Sequence, residues 1–502
     1  MKKFCTVFIL VSLIAQTIFA QNRNSIWCFG DSAGIDFRNI ANPVPISSGM
    51  DGRGGCSSIS DSSGNLLFYS YSFVSLALTK IMASNNTIMP NSNLITGWGL
   101  YNDNIIIPKP GSNHEYFNFY LGSGGHVDTT YYALIDMNLN GGLGDVVRKN
   151  VPINSYYPAD CLTAVKHADG RDWWVIGKLG SNPFSNYNRF FVYLVTQDSV
   201  YSALVQDFGG AKDVGFQKII WHPSNEKFIV LNTRGYMSEF NFDRCTGQMT
   251  LSRNIFSEQQ SNFTRAFWEG AYSPNGNILY VSRTSYGGNF GSYNYLLQFD
   301  MTASDIAASC DTLDSTHYLP VDCGAVRRAP DGKIYYAQGY ISATALSFPY
   351  ADSMRNNINE NLGVINFPDS LGSACDFRPF SFYLGGKRTY YGLPNNPDYD
   401  LGPVAGSICD SLTNGVGEVR QEMIQFFPNP ATNEVSISSN FLFRGNQLRI
   451  FNSLGEIVKV ENLPDNQNSI RISVEDLNQG IYMVEIINAK RILKVGKLLI
   501  IN

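Results

Sequence analysis

Residues 273–281 read Ser-Pro-Asn-Gly-Asn-Ile-Leu-Tyr-Val, a polar turn running straight into an apolar strand. Asn-Gly supplies the positive φ that a tight hairpin needs. The strand behind it does not alternate polar and apolar residues, so it suits a position buried on both faces. The same pair of signals recurs along the chain. Asp61-Ser-Ser-Gly-Asn precedes Leu66-Leu-Phe-Tyr, and Asp169-Gly-Arg-Asp precedes Trp173-Trp-Val-Ile. His222-Pro-Ser-Asn-Glu precedes Lys227-Phe-Ile-Val-Leu, and Ala329-Pro-Asp-Gly-Lys precedes Ile334-Tyr-Tyr-Ala. A fainter copy is Lys109-Pro-Gly-Ser-Asn before Tyr116-Phe-Asn-Phe-Tyr. The turn markers Gly64, Gly111, Gly170, Asn225, Gly276 and Gly332 return about every fifty residues, the period of four-stranded propeller blades. Six markers and a final strand pair near Phe380 to Tyr391 predict an all-β, seven-bladed β-propeller over residues 25–392. Ile26-Trp-Cys-Phe is expected to close the ring by pairing with the last blade, which would remove both open sheet edges.

Composition agrees with a sheet protein. The 502 residues are 13% aromatic and only 16% charged, with 45 glycines and a formal net charge of −5. Low charge with 44% apolar residues excludes a disordered chain, and mild acidity leaves no basic face for nucleic acid. Helical periodicity is nearly absent from 25–392, which argues against an α/β enzyme fold there. Lys2 and Lys3 followed by the apolar run Phe4 to Phe19 and Ala20 read as a cleaved signal peptide over 1–20. That run is short for a membrane span, though an uncleaved anchor is the alternative; after cleavage no membrane-spanning segment is expected. Eight cysteines follow it: Cys28, Cys56, Cys161, Cys245, Cys310, Cys323, Cys375 and Cys409. An even number in an exported chain fits disulfides. Spacing suggests Cys310 with Cys323, then Cys28 with Cys56 and Cys375 with Cys409, against the alternative of buried free thiols. Residues 393–422, rich in Pro, Gly and Asn, read as a linker.

From residue 424 the pattern becomes short alternating strands separated by turns, about seven in all, as in a small immunoglobulin-like β-sandwich. The stretch holds Phe427-Pro428-Asn429-Pro430-Ala431, then Leu448-Arg-Ile-Phe-Asn-Ser-Leu-Gly455-Glu-Ile-Val. Gly480-Ile-Tyr482-Met-Val-Glu-Ile and the ending Lys494-Val-Gly-Lys497-Leu-Leu-Ile follow. In this order, residues 424–502 resemble the type A C-terminal sorting domain of the bacterial type IX (Por) secretion system. The resemblance implies export through the periplasm and across the outer membrane of a Gram-negative bacterium. It further implies handling by the secretion machinery and a surface sortase, leaving the cargo secreted or attached to the cell surface. Residues 26–37, Ile-Trp-Cys-Phe-Gly-Asp-Ser-Ala-Gly-Ile-Asp-Phe, resemble the opening of WD-repeat-like propeller cargo carrying such domains. That resemblance brings no activity that can be placed on individual residues.

Candidate chemistry is sparse. Gly30-Asp-Ser32-Ala-Gly34 has the outline of a GDSL-type esterase nucleophile block, and Asp314-Ser-Thr-His317 would supply the orienting acid and the base. Asn102 is the candidate oxyanion donor. The Gly-x-Asn-Asp block is imperfect, however, and Ile35-Asp-Phe after Ser32 reads as strand where the elbow needs a helix. Ser32 therefore reads as a turn residue. His114, His126, His167, His222 and His317 show no ligand spacing, and Asp305, Asp311 and Asp314 form no calcium loop, so no metal site and no cofactor are expected. Trp98, Trp173, Trp174, Trp221 and Trp268 could stack on sugar rings but read mainly as blade core. The expected function is a binding or interaction module for an extracellular polymer or protein, and the alternative is an extracellular hydrolase of glycan, peptide or ester.

Overall fold

A computed structural model describes residues 22–73, 77–99, 101–123, 128–153, 156–180, 188–209, 216–257, 265–286, 292–316, 321–340, 358–410, 424–439, 443, 446–465, 467, 469–488 and 491–501. The signal-peptide stretch 1–20, His126, His317 and residues 411–422 of the expected linker lie outside the described residues. The chain forms two compact units, Met1–Leu412 and Thr413–Asn502.

Strand formation in the first unit follows the turn markers. Gly64, Gly111, Gly170, Asn225, Gly276 and Gly332 all adopt positive φ, from 55 to 86 degrees. Each stands just before the second strand of a sheet: Leu66–Phe73, Glu115–Ser123, Trp173–Lys178, Lys227–Asn232, Ile278–Tyr286 and Ile334–Tyr340. Six sheets have four antiparallel strands in simple meander order. Their first strands are Cys56–Ser60, Asn104–Pro108, Thr163–Lys166, Gln217–Trp221, Ala266–Tyr272 and Val321–Arg328. A further sheet of Ile26–Phe29, Asp31–Asp36 and Val44–Asp51 precedes them. Burial falls from the inside outward. Trp173–Lys178 is buried at every position, whereas the last strands Met249–Phe256 and Phe377–Tyr383 are mostly exposed or half-buried.

The apolar faces interlock between successive sheets. One core cluster joins the second, third and fourth sheets, and others join the fourth with the fifth, the fifth with the sixth and the sixth with the seventh. The remaining cluster packs Trp27 and Phe29 of the first sheet with Tyr335 and Ala337 of the seventh and Tyr69 of the second. The aromatics that inflate the composition are this packing; Trp27, for example, meets Tyr335 edge-on at 6.0 Å. The result is an all-β propeller arrangement.

Closure differs from expectation. Ile26–Phe29 pairs with Asp31–Asp36 of its own sheet, not with the last blade. The chain after Phe377–Tyr383 returns instead to the first sheet. Asp31 N–H donates to Arg388 O (2.8 Å), Ala325 N–H to Tyr391 O (2.7 Å), Tyr391 N–H to Arg53 O (3.0 Å) and Asn395 N–H to Cys56 O (2.8 Å). Residues 388–395 thus lie between the seventh sheet and the first two, satisfying backbone groups that would otherwise be orphaned there.

The expected linker also changes. Residues 393–410 are packed against the propeller: Leu393 and Tyr399 are buried, and Tyr399 Oη donates to Ile106 O (2.8 Å). Arg244 donates to Gly402 O (2.7 Å). Pro, Gly and Asn serve here to turn a chain that follows the inner strands, not to keep it solvated. A Cys245–Cys409 disulfide, Cα atoms 5.7 Å apart and 164 residues distant in sequence, fastens its end. This corrects the pairing of Cys375 with Cys409. Cys28, Cys56, Cys161, Cys310, Cys323 and Cys375 are free thiols, so the pairings Cys28–Cys56 and Cys310–Cys323 are corrected as well. Burial leaves five of the six free thiols inside the core, while Cys310 is exposed.

The second unit contains seven strands among the described residues. Ile424–Phe427, Glu434–Ser439 and Ser469–Ser473 form one sheet; Ile457–Asn462, Asn446–Phe451, Gly480–Asn488 and Arg491–Ile500 form the other, in that order. Val435, Ile437 and Ile472 of the first share a core with Leu448, Ile450, Val484, Ile486, Leu498 and Ile500 of the second. This is a two-sheet sandwich.

Candidate ligand pocket

The beginnings of the inner strands converge on a pocket in the first unit enclosing about 80 Å3. Tyr101 and Asn102 precede Asn104–Pro108, Asp160 precedes Thr163–Lys166, and Phe216 and Gln217 open the next inner strand. Trp268 and Glu269 come from Ala266–Tyr272, Asp322 from Val321–Arg328, and Tyr391 from the returning chain. The third to seventh sheets each supply one to three residues, most of them at or near the start of the inner strand.

The floor is charged and buried. Arg327 Nη1 contacts Glu269 Oε2 at 2.5 Å, and Lys218 Nζ lies 3.7 Å from the same oxygen. Lys218 Nζ donates to Asn102 Oδ1 (2.5 Å) and Asn395 Oδ1 (3.1 Å), and Arg327 Nη2 also donates to Asn102 Oδ1 (3.1 Å). Asn395 Nδ2 donates to Leu162 O (2.9 Å), so the returning chain braces this network. Burial opposes ionisation of Glu269, but Arg327 and Lys218 outweigh it and hold its carboxyl below the usual range. Burial, reinforced by Arg327, brings Lys218 down to about 8. Asp160 accepts from the N–H groups of Tyr101 (2.9 Å) and Asn102 (2.6 Å), yet burial and the nearby Asp103 and Glu269 push its carboxyl well up.

The rim is aromatic. Tyr101 stands at the hub, with ring centroids 5.7 Å from Trp268, 5.3 Å from Tyr391 and 6.0 Å from Phe216. Phe216 and Trp268 are 5.5 Å apart. Tyr391 Oη donates to Asp322 Oδ2 (3.1 Å), and Trp268 Nε1 donates to Thr284 Oγ1 (3.1 Å), which fixes both rings.

Of the esterase candidates, Ser32 and Asp314 are not among the lining residues of this pocket, and His317 lies outside the described residues. Ser32 lies in Asp31–Asp36 of the first sheet, at φ +60, with Oγ 3.3 Å from Asp31 Oδ1. Strand flanks it on both sides, so the strand-turn-helix setting of an elbow is missing. Asp314 lies in Asp311–Thr316, the outermost strand of the sixth sheet. Asn102 is in the pocket, its Oδ1 engaged by Lys218 and Arg327. His114 Nδ1 is 2.8 Å from Asp136 Oδ1. His167 and His222 each accept at Nδ1 from the turn backbone, from Asp169 N–H and Ser224 N–H, as repeat-related turn residues. Trp173 and Trp174 are core, and Trp221 packs on Phe228 at 5.0 Å. Trp98 Nε1 donates to Asp128 Oδ1 (3.3 Å). Trp268 alone of the five tryptophans lines the pocket. Tyr101, Asp160, Glu269 and Tyr391 escaped the sequence reading; for the first three the one signal was an aromatic or acid at or near the start of an inner strand, outside the turn repeat, and Tyr391, on the returning chain, carried none.

In the second unit the motif residues tie the last strand down. Asn429 Nδ2 donates to Lys497 O (2.8 Å) and its Oδ1 accepts from Leu499 N–H (2.8 Å). Phe427 ends the first strand, and Pro428 and Pro430 flank Asn429. Gly455 takes φ +82 in a turn capped by Asn452 Oδ1. Gly480 opens the strand in which Tyr482 Oη donates to Asn478 O (2.7 Å). Lys494 and Lys497 belong to the last strand, and Lys497 is exposed.

Comparison with known proteins bears on the second unit most directly. Residues 425–502 match a family described as the secretion system C-terminal sorting domain. No curated protein matches the chain. Among solved structures, a candidate 6-phosphogluconolactonase from Bacteroides fragilis is 9% identical, with TM-score 0.42, covering 73% of this chain and 96% of that one. A candidate 6-phosphogluconolactonase from Bacteroides uniformis is 12% identical, with TM-score 0.39, covering 62% and 88%. PorZ, a surface component of the type IX secretion system of Porphyromonas gingivalis, is 12% identical, with TM-score 0.25, covering 95% and 69%. The chain thus carries the sorting domain of type IX secretion cargo at its C-terminal end, and it is exported to be secreted or attached to the surface of a Gram-negative cell.

Proposed function

We propose that the chain is an exported seven-bladed propeller that binds a ligand in its central pocket without transforming it. The carrying observation is the pocket itself: four aromatic rings over Asp160, Glu269 and Asp322, with the two basic side chains of its floor committed to Glu269 and Asn102. Such a wall offers contact area and fixed charge, which is how ligand pockets hold and orient small groups. Seven sheets linked by a cyclic series of apolar clusters support the blade number. The domain assignment keeps 1–20 as a cleaved leader and 424–502 as the sorting domain, with an immunoglobulin-like topology for the latter. The partners of this reading are the secretion machinery and a surface sortase at the C-terminal domain, and an extracellular polymer or protein bearing the ligand group at the propeller.

The test against a hydrolase is covalent. The purified mature protein is treated with a serine-reactive fluorophosphonate beside the Ser32→Ala variant. The binding reading expects no difference between them. Labelling of the wild type alone would make Ser32 a nucleophile and overturn it.

A further inference from the structure

We infer that the pocket takes a small organic ammonium group. This rests on the reading of the pocket as the ligand site and goes on to name the ligand chemistry. Three carboxyl-bearing residues line it, Asp160, Glu269 and Asp322, together with Tyr101, Phe216, Trp268 and Tyr391. Among the described residues no lysine or arginine belongs to the lining. Lys218 and Arg327 lie beneath it, turned to Glu269 and Asn102.

Each ligand class meets this wall differently. An anion would sit beside carboxyls with no cation on the wall to pair it. A neutral apolar group would strip water from the carboxyls and return nothing. An ammonium group gains from both halves, since Asp322 attracts its charge and aromatic rings attract it through their quadrupoles; Asp160, whose carboxyl burial pushes well up, and Glu269, already paired with Lys218 and Arg327, add polar contact and not net charge. The ring contribution alone reaches about 2 kcal/mol when the cation is desolvated. Size agrees. At about 10–15 Å3 per water position, the enclosed space holds the equivalent of roughly six waters. That suits a head group of about seven non-hydrogen atoms, the size of choline, with the rest of a larger ligand outside the pocket's open side.

The experiment is calorimetry on the full mature chain, with tryptophan fluorescence as a second readout. The probes are choline, ethanolamine and 3,3-dimethylbutan-1-ol, the neutral isostere of choline. At least one ammonium probe is expected to bind about tenfold or more tighter than the neutral isostere, a ratio set by the charge. Trp268→Phe and Asp322→Asn are expected to weaken that probe, in variants that a cooperative melting transition shows to be folded. Equal binding of the isostere, or no binding of either ammonium probe to the wild type, overturns the inference, and neither result needs a variant to fold. Binding of N-acetylglucosamine with a Trp268-dependent fluorescence change, and no ammonium binding, also overturns it while leaving the ligand-pocket reading in place.

Discussion

Gly276 and Gly332 occupy the same turn of neighbouring repeats, at φ +77 and +79, yet their surroundings differ. A Cβ on Gly276 would collide with the His222 ring, whereas a Cβ on Gly332 would meet nothing within 4 Å. The left-handed backbone costs both alanine variants roughly 1 kcal/mol, and the collision adds to one of them only. Gly332→Ala should therefore lower stability by about 1 kcal/mol and Gly276→Ala by about 2–3 kcal/mol in urea unfolding. His222→Ala should recover part of the second loss in a double-mutant cycle. His222 has a further consequence. Burial, with Lys227 beside it, brings its imidazole down to about 4, so the folded state favours the neutral ring. Its contribution is complete above the ordinary histidine value and is lost as pH falls through about 4. Urea midpoints measured between pH 7 and 4 should fall less for His222→Gln than for the wild type. The turn residues were legible in the sequence because positive φ restricts residue type so strongly. The pocket residues were not, because an acid or aromatic at a strand start is compatible with many environments.

At the scale of the element, the segment 388–410 decides how the ring is held. It hydrogen-bonds to the seventh, first and second sheets through Tyr391, Arg388 and Asn395, and is then fastened to the fifth-sheet turn by Cys245–Cys409. The disulfide closes a loop of 164 residues, long enough for the usual entropic stabilisation of about 2–4 kcal/mol. Cys245→Ser with Cys409→Ser should lower the unfolding free energy by that amount, and dithiothreitol should bring the wild type to the same urea midpoint. A midpoint unmoved by either treatment would show that the strap is held by its hydrogen bonds alone. This element was misread for a physical reason. Pro, Gly and Asn mark where a chain turns, and a chain crossing the inner strands turns as often as a solvated linker does. Nor can spacing reveal a pair of cysteines that only closure of the ring brings together. The blade strands, by contrast, declared themselves through local signals, a positive-φ turn followed by an unbroken apolar run.

For the whole molecule, the two units keep separate cores. The cluster holding Val435, Leu448, Val484 and Leu498 contains no residue of the propeller, and the propeller clusters contain none of the sandwich. Export and folding can then be separated by cutting between them. A chain ending at Arg420 retains every described propeller residue, including Cys409, and loses the matched sorting domain at 425–502. It should melt at the temperature of the propeller transition of the full chain, since no core residue has been removed. In the native bacterium it should accumulate in the periplasm, measured by fractionation and by protease accessibility on whole cells, while the full chain reaches the outside. Asn429→Ala offers a finer version of the test, because it removes both hydrogen bonds that hold Lys497 O and Leu499 N–H and should destabilise the sandwich by about 1–2 kcal/mol. Surface delivery of the truncated chain at the normal level would separate export from the sandwich and reject its role as the address; periplasmic retention of a folded propeller would assign the route to the C-terminal unit and leave the pocket as the property of the cargo.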